Sequence, residues 1–162
     1  MIHRPKQFRS RRRRAFTLAE IIVVILIISV LAAVAMPRYA LAISRYRVAM
    51  AEQRVLADLA LVQAVAKTSS TGQSVLFSTT SNNYQLTGYA GPLNGPAQST
   101  YTVSLTPDPY DATLVSASFN STAQLTYDRF GQPSSGGTVV IQVGVYQKTI
   151  TVDPNTGRAS GS

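Results

Sequence analysis

The feature that most constrains the fold is residues 16–36, an apolar run that contains a single charged side chain, Glu20. A helix over these residues rises about 31 Å, which matches the hydrocarbon core of a bilayer. A charge inside such a segment costs about 3 kcal/mol to insert. Glu20 therefore needs either a partner or a function, and the run predicts a transmembrane helix that carries one unusual carboxylate.

A basic block precedes this run. Seven of the 15 Lys and Arg residues lie within the first 14 positions, and a flank of this kind stays on the cytoplasmic side of the membrane. The rest of the chain is then expected on the outer side. The block also explains the formal net charge of +8, because the remaining residues are 8 basic and 7 acidic, a net of +1. We therefore consider nucleic-acid binding unlikely from the composition alone.

The residues after the apolar run form an amphipathic pattern. Apolar positions recur at helical spacing to about Lys67, which predicts that the helix continues with one face against a folded domain. Pro37 lacks an N–H and is expected either to kink the helix at the membrane exit or to separate two helices. The predicted apolar stripe consists of Leu41, Val48, Val55, Leu59, Val62 and Ala66.

From residue 73 the hydrophobic period changes to two, which predicts short strands in an antiparallel arrangement. One long helix followed by such strands indicates the α+β class, with the helix packed on antiparallel β-sheet. The expected strands are 75–79, 84–89, 101–106, 113–119, 123–127, 138–145 and 148–152. The expected organisation is a basic leader 1–15, a transmembrane helix 16–36, its amphipathic continuation 37–68, a β-rich globular domain 73–158 and a loose tail 159–162.

Residues 15–20, Ala-Phe-Thr-Leu-Ala-Glu, resemble the signal of type IV prepilins, a class that includes pilins and the pseudopilins of type II secretion. The family pattern is a basic leader, a small residue, the cleavage site, an N-methylated Phe and then Thr-Leu-x-Glu. The resemblance implies cleavage between Ala15 and Phe16 by a prepilin peptidase, and methylation of Phe16. The chain departs from the pattern at Ala15, where the family usually has Gly, and its leader is long.

The same resemblance implies an assembly role for Glu20. In the family, the new amine of one subunit is thought to meet this carboxylate on its neighbour, which neutralises two charges in lipid and sets the axial register. The competing interpretation is a protonated Glu20 near the headgroups. The implied location is the bacterial inner membrane, crossed once, with the C-terminal domain in the periplasm and in a filament after assembly.

Residues 123–158 carry a second resemblance. Their order of strand, Gly-containing turn, hairpin and Thr-Gly-Arg ending is similar to the C-terminal pattern of the GspH/FimT family of minor pseudopilins and minor pilins. That family's fold is a long N-terminal helix packed on two antiparallel sheets, which is a pilin-like fold.

A different export route is also open. Arg13 and Arg14 before the apolar run resemble a twin-arginine signal, and 33–35, Ala-Val-Ala, resembles a signal-peptidase site. On that interpretation an exported soluble domain remains. Two features oppose it, because Glu20 interrupts the apolar core and 16–36 is longer than usual for a signal peptide. A single-pass protein that is never processed is a further alternative.

Catalysis is not supported. The chain has no cysteine, and its one histidine, His3, lies in the leader, so no Ser–His or Cys–His arrangement is available after processing. No cofactor motif occurs. Asp108 and Asp111 are expected to form a turn, and calcium binding is the less favoured alternative, because a calcium site takes six or more oxygen ligands. Three side chains are candidates for a basic strip that binds DNA, although three charges beside a net of +1 are a weak signal: Arg129, Lys148 and Arg158.

The sequence thus predicts a structural minor pseudopilin of a type II secretion pseudopilus, assembled through its N-terminal helix. A minor type IV pilin, in pilus assembly or DNA uptake, is the alternative. The expected partners are the prepilin peptidase, other pilin or pseudopilin subunits, and the inner-membrane assembly platform.

Overall fold

The computed structural model describes residues 16–88 and 100–162. Within these residues the chain forms one long helix followed by eight strands. The helix is α1, Leu18–Ser69, and the strands are β1 Gln73–Ser78, β2 Asn83–Thr87, β3 Thr100–Ser104, β4 Thr113–Phe119, β5 Gln124–Tyr127, β6 Gly137–Val143, β7 Tyr146–Val152 and β8 Ala159–Gly161.

Helix α1 is continuous through position 37, so the two separate helices that Pro37 left open are not observed. It ends where Ser70 adopts a left-handed conformation with φ of 53°, two residues before Gly72. Among the described residues, α1 alone is long and apolar enough to cross a membrane. The expected leader, residues 1–15, and the expected turn at 91–96 lie outside the described residues.

The chain divides into two compact units, residues 1–39 and residues 40–162. In the first unit, the described apolar side chains of α1 are exposed, as Ile25 at 58% and Leu31 at 65% illustrate. Such exposure has a physical reason only if these side chains are covered by lipid or by another helix.

The second unit holds two antiparallel sheets. Sheet A has the strand order β3-β2-β1-β5, and sheet B has the order β4-β6-β7-β8. Both sheets contribute their inward side chains to one hydrophobic cluster with the second part of α1. This arrangement confirms the predicted α+β class, a long helix packed on antiparallel sheet.

The helix face that the sheets cover is close to the predicted stripe. Five of its six residues are buried, but Leu41 is 46% exposed, so the buried stripe begins at Val48, and Ala51 completes it. The difference arises because the sheets cover α1 only from about Val48 onward. The buried members of the predicted stripe are Val48, Val55, Leu59, Val62 and Ala66.

The seven predicted strands are all present, with ends shifted by a few residues, but the loose tail is wrong for Ala159–Gly161. These residues pair with β7 as β8, from Val152 opposite Ala159 to Ile150 opposite Gly161. A Cβ on Gly161 would overlap the Glu52 carboxylate. Strand β8 can therefore lie against Glu52 only because residue 161 has no side chain. Three residues without an alternating pattern give no strand signal in the sequence.

Candidate functional site

The start of α1 is organised by Thr17. Its hydroxyl accepts a hydrogen bond from the backbone N–H of Glu20 at 3.2 Å, and its carbonyl accepts one from the N–H of Ile21 at 3.3 Å. Thr17 is therefore the N-cap, and Glu20 is the third residue of the helix. Thr-x-x-Glu is the spacing of a capping box. The charge of Glu20 alone does not indicate this local role, but its spacing from Thr17 does.

The surface around Glu20 is exposed. Phe16 is 75% exposed and lines a shallow groove with Glu20, Ile21, Val24 and Ile25. A carboxylate in the first turn interacts favourably with the helix dipole. Within residues 16–88 and 100–162, no salt bridge includes Glu20. The carboxylate is thus available to a positive group from outside the described chain, while Ala15, the other predicted processing residue, lies outside the described residues.

In the second unit, a buried carboxylate joins α1 to sheet A. Tyr84 Oη donates to Asp58 Oδ2 at 2.5 Å, and Arg54 Nε donates to the same oxygen at 3.0 Å. Burial and the Asp58 carboxylate raise the pKa of Tyr84 well above its usual range. The phenol therefore stays protonated and keeps donating at physiological pH. Arg54 also donates to the Tyr101 hydroxyl at 3.2 Å, so two strands of sheet A are tied to one helical turn.

A second buried carboxylate faces sheet B. Glu52 is 5% exposed and forms an ion pair with Lys148 of β7, with 3.5 Å between Oε2 and Nζ. Gly161 of β8 lies against the same carboxylate. Glu52 and Asp58 thus fix α1 to the two sheets from two sides.

Gln63 of α1 contacts two separate loops of the C-terminal sequence pattern, the loop after β5 and the loop after β7. Its side-chain amide donates to the carbonyl of Gly131 at 2.9 Å and to the carbonyl of Thr156 at 2.8 Å. Close by, Tyr127 Oη donates to the carbonyl of Gly157 at 3.0 Å, and burial raises the pKa of Tyr127 to about 12. Gln63 therefore holds the C-terminal segment, which ends in Thr-Gly-Arg, against α1. The sequence alone does not indicate this role.

The turn at 153–157 is stabilised by the Asp153 side chain. Its carboxylate accepts hydrogen bonds from the backbone N–H groups of Thr156 and Asn155, which lower its pKa. Gly157 follows with φ of 70°, a conformation that favours glycine. The turn presents the Thr156 and Gly157 carbonyls to Gln63 and Tyr127.

Asp108 and Asp111 bind a guanidinium group. Arg47 Nη2 donates to Asp108 Oδ1 at 3.0 Å, and Arg47 Nη1 donates to Asp111 Oδ2 at 2.6 Å. Among the described residues, no group of three or more His, Cys, Asp or Glu side chains could hold a metal ion. The pair therefore tethers the loop before β4 to α1.

The three basic residues considered for DNA lie on different elements. Arg129 follows β5 and stacks over the ring of Phe130 at 5.5 Å, whereas Lys148 is paired with Glu52. Arg158 lies in the loop between β7 and β8. Lys148 is thus paired with a carboxylate, and the three candidate residues do not lie on one element.

Comparison with known proteins places the N-terminal segment in a defined class. Residues 10–36 match the model of the prokaryotic N-terminal methylation motif, and this stretch contains Ala15, Phe16 and Glu20. The motif implies processing and assembly with other pilin subunits. No curated protein matches the sequence at a significant level.

The fold is similar to that of the type IV minor pilin FimU of Pseudomonas aeruginosa strain PAO1. Its crystal structure in space group P21 has 14% sequence identity and a TM-score of 0.51, over 73% of this chain and 90% of that chain. A second crystal form, in space group P65, gives 14% identity and a TM-score of 0.48, over 70% and 90%. The chain therefore carries a prokaryotic N-terminal methylation motif, and its fold is similar to that of a type IV minor pilin.

Proposed function

We propose that this chain is a non-enzymatic structural subunit of a bacterial envelope filament of the type IV pilin class. The observation that carries the proposal is the methylation motif at residues 10–36, on a helix that continues into a pilin-type packing on two sheets. The exposed apolar side chains of residues 18–36 support it, because they need lipid before assembly and neighbouring helices afterwards.

The proposed sequence of events begins in the inner membrane. A prepilin peptidase cuts between Ala15 and Phe16, and Phe16 is methylated. The folded unit is periplasmic, and an inner-membrane assembly platform moves the helix into a bundle of other pilin or pseudopilin subunits. The Glu20 carboxylate then meets the N-terminal amine of a neighbour, and repeated head-to-tail contacts build an open helical filament.

Mass spectrometry of the mature N-terminus tests this proposal. We expect N-methyl-Phe16 in cells with active prepilin peptidase and an intact leader in cells without it. A mature start at Met36 would instead support the exported-domain alternative. Because every core residue lies at Val48 or beyond, both products retain the folded unit, and only the N-terminus separates them.

Substitutions at the cleavage site sharpen the test. Ala15→Gly should leave processing intact, since the family usually has Gly there, whereas Ala15→Trp should block cleavage by at least about tenfold through its bulk. Equal processing of both variants would contradict cleavage at this peptide bond. The readout is the ratio of mature to full-length protein at equal expression.

Within this class we propose the minor pseudopilin of a type II secretion system, the role to which the C-terminal pattern at 123–158 is similar. A minor type IV pilin is the second candidate, and the similarity of the fold to FimU favours it. Deletion of the gene in its own host separates the two. Loss of secretion of exported enzymes with normal surface pili supports the pseudopilin, and loss of pili with normal secretion supports the pilin.

A further inference from the structure

The tip of the β6–β7 hairpin carries an apolar residue that its turn does not require. Gly144, with φ of 57°, and Val145 form the two-residue connection between the strands. A left-handed glycine suits the first position of such a turn, whereas the second position usually holds a polar residue. Val145 is nevertheless 76% exposed and takes no part in the core. Its exposure therefore needs another explanation.

A series of contacts fixes the direction in which the hairpin runs along α1. The tip lies beside the first turns of α1 in the second unit. Residues further along β7 and the loop after it contact later turns of α1. In order along the helix, the contacts are Gly144 with Ser44, Tyr146 with Arg45, Lys148 with Glu52, and Thr156 with Gln63. The tip is therefore at the end of the second unit where the unit begins, and Ser44 follows Met36 by only eight residues of sequence.

The side chains at this end have the chemistry of a membrane interface. Leu41 is 46% exposed, and the Arg45 guanidinium lies 4.9 Å from the centre of the Tyr146 ring and donates to its hydroxyl at 3.3 Å. No acidic residue occurs in 40–51 or in 137–152. The acidic residues that reach this end from outside these ranges are paired, Asp108 and Asp111 with Arg47 and Glu52 with Lys148. Apolar side chains, an amphipathic aromatic ring and an arginine are the groups that bind at the level of the lipid headgroups.

We propose that the β6–β7 hairpin tip docks on the phospholipid surface, with Val145 at the boundary between headgroups and acyl chains. Arg45 binds the phosphate oxygens of an anionic phospholipid, and Tyr146 holds its guanidinium in place. The proposal rests on the membrane insertion of residues 16–36 in the proposed function. Because only eight residues separate Met36 from Ser44, the tip stays within reach of the bilayer whatever the orientation of the folded unit, and a small apolar contact is enough to favour one orientation.

The test uses the full chain in vesicles of phosphatidylglycerol and phosphatidylethanolamine. Since the sequence has no cysteine, Val145→Cys places one environment-sensitive fluorophore at the tip. Phe130→Cys is the matched control, because Phe130 is 71% exposed and the next residue, Gly131, abuts Lys67, about 35 Å of helix beyond Ser44. A third variant, Val24→Cys, reports insertion of the apolar segment itself.

We expect the label at position 145 to shift to shorter wavelength and to be quenched by nitroxide-bearing lipids about twofold more than the label at position 130. Replacing phosphatidylglycerol by phosphatidylcholine, or Arg45→Ala, should reduce that quenching, and Arg45→Lys should restore part of it. Quenching at position 24 with none at position 145 would overturn the docking proposal alone. Protection at 145 that depends on protein density would assign the tip to a second copy and also overturn it. Absence of quenching at position 24 would reject insertion, and with it both proposals.

Discussion

At the scale of single residues, Glu20 has a local role that separates cleanly from its proposed assembly role. Thr17 caps α1 through the Glu20 N–H, and the carboxylate lies in the first turn, where the helix dipole favours it. A glutamine at the third position satisfies a capping box as well as a glutamate does. The helix dipole gains only about 0.3–1 kcal/mol from the negative charge, whereas the proposed ion pair with a neighbour's amine requires it.

The first prediction uses that difference. Glu20→Leu makes the segment more apolar, so membrane insertion should be unharmed or improved. Both Glu20→Leu and Glu20→Gln should reduce incorporation into filaments by about tenfold or more, because the neighbour's amine is left unpaired in lipid. Glu20→Asp should be partly tolerated. Cross-linking or filament pull-down measures incorporation, normalised to the membrane level of each variant.

Two outcomes would contradict the assembly role. If Glu20→Gln assembles as well as the unmodified chain, the carboxylate serves the helix cap and not an ion pair. If Glu20→Leu also assembles normally, Glu20 is a tolerated residue at headgroup level. Insertion of all three variants at equal levels is the control that makes either result meaningful.

The second prediction concerns the buried Asp58. Asp58→Ala removes the acceptor of both Tyr84 Oη and Arg54 Nε, so it should lower the free energy of unfolding by about 3 kcal/mol. Tyr84→Phe leaves Arg54 on the carboxylate and should cost about 1 kcal/mol. Tyr46→Phe, at an exposed tyrosine of the same helix, should change it by less than about 0.5 kcal/mol. Urea unfolding of residues 40–162 measures all three, and equal losses for Asp58 and Tyr84 would contradict the dual role of the carboxylate.

At the scale of elements, the helix and seven strands were predictable because each has its own periodicity in the sequence. The stripe from Val48 to Ala66 repeats at helical spacing, and β6 alternates buried and half-buried residues. Strand β8 was not predictable, since Ala159–Gly161 pairs with β7 without a pattern of its own. The hydrogen bonds that join the helix to the loops were not predictable either, because Gln63 contacts loops 68 and 93 residues further along the chain.

The third prediction tests that closure. Gln63→Leu keeps the size of the side chain but leaves the carbonyls of Gly131 and Thr156 without their donor, which should cost about 2 kcal/mol in the free energy of unfolding. Amide hydrogen exchange should rise first in the turns at 128–131 and 153–158. Gln147→Leu is the matched control, because its exposed amide bonds only Gln142. Uniform loosening of the whole unit, without preference for these turns, would contradict a local clamp.

At the scale of the whole molecule, we expect the two units to have different roles: residues 1–39 carry membrane insertion and assembly, and residues 40–162 form the folded core. For the first part, the processing of the leader and the assembly role of Glu20 stay predictions, but the sequence predicted the apolar helix because the run at 16–36 is a local feature. It predicted the second part only in outline. Pairs such as Arg47 with Asp108 and Asp111 join residues more than 60 positions apart, and no local pattern marks them as partners. The sequence therefore predicts only a turn at Asp108 and Asp111, and the ion pairs with Arg47 emerge from the fold.

The last prediction follows from this separation. Among the described residues the buried core extends from Val48 to Val152, so residues 40–162 contain that core and should fold without the apolar segment. Loss of residues 1–39 should change the free energy of unfolding of the unit by no more than about 0.5 kcal/mol, because no described core side chain is removed. The fragment should neither bind membranes stably nor join filaments, since a brief contact at one hairpin does not replace a transmembrane helix. Near-ultraviolet circular dichroism, urea unfolding and vesicle flotation measure these properties, with the fragment 48–162 as the control that shortens α1 at the edge of the core. If residues 40–162 are unfolded, or if they enter filaments without α1's apolar half, then folding and assembly are not divided between the two units.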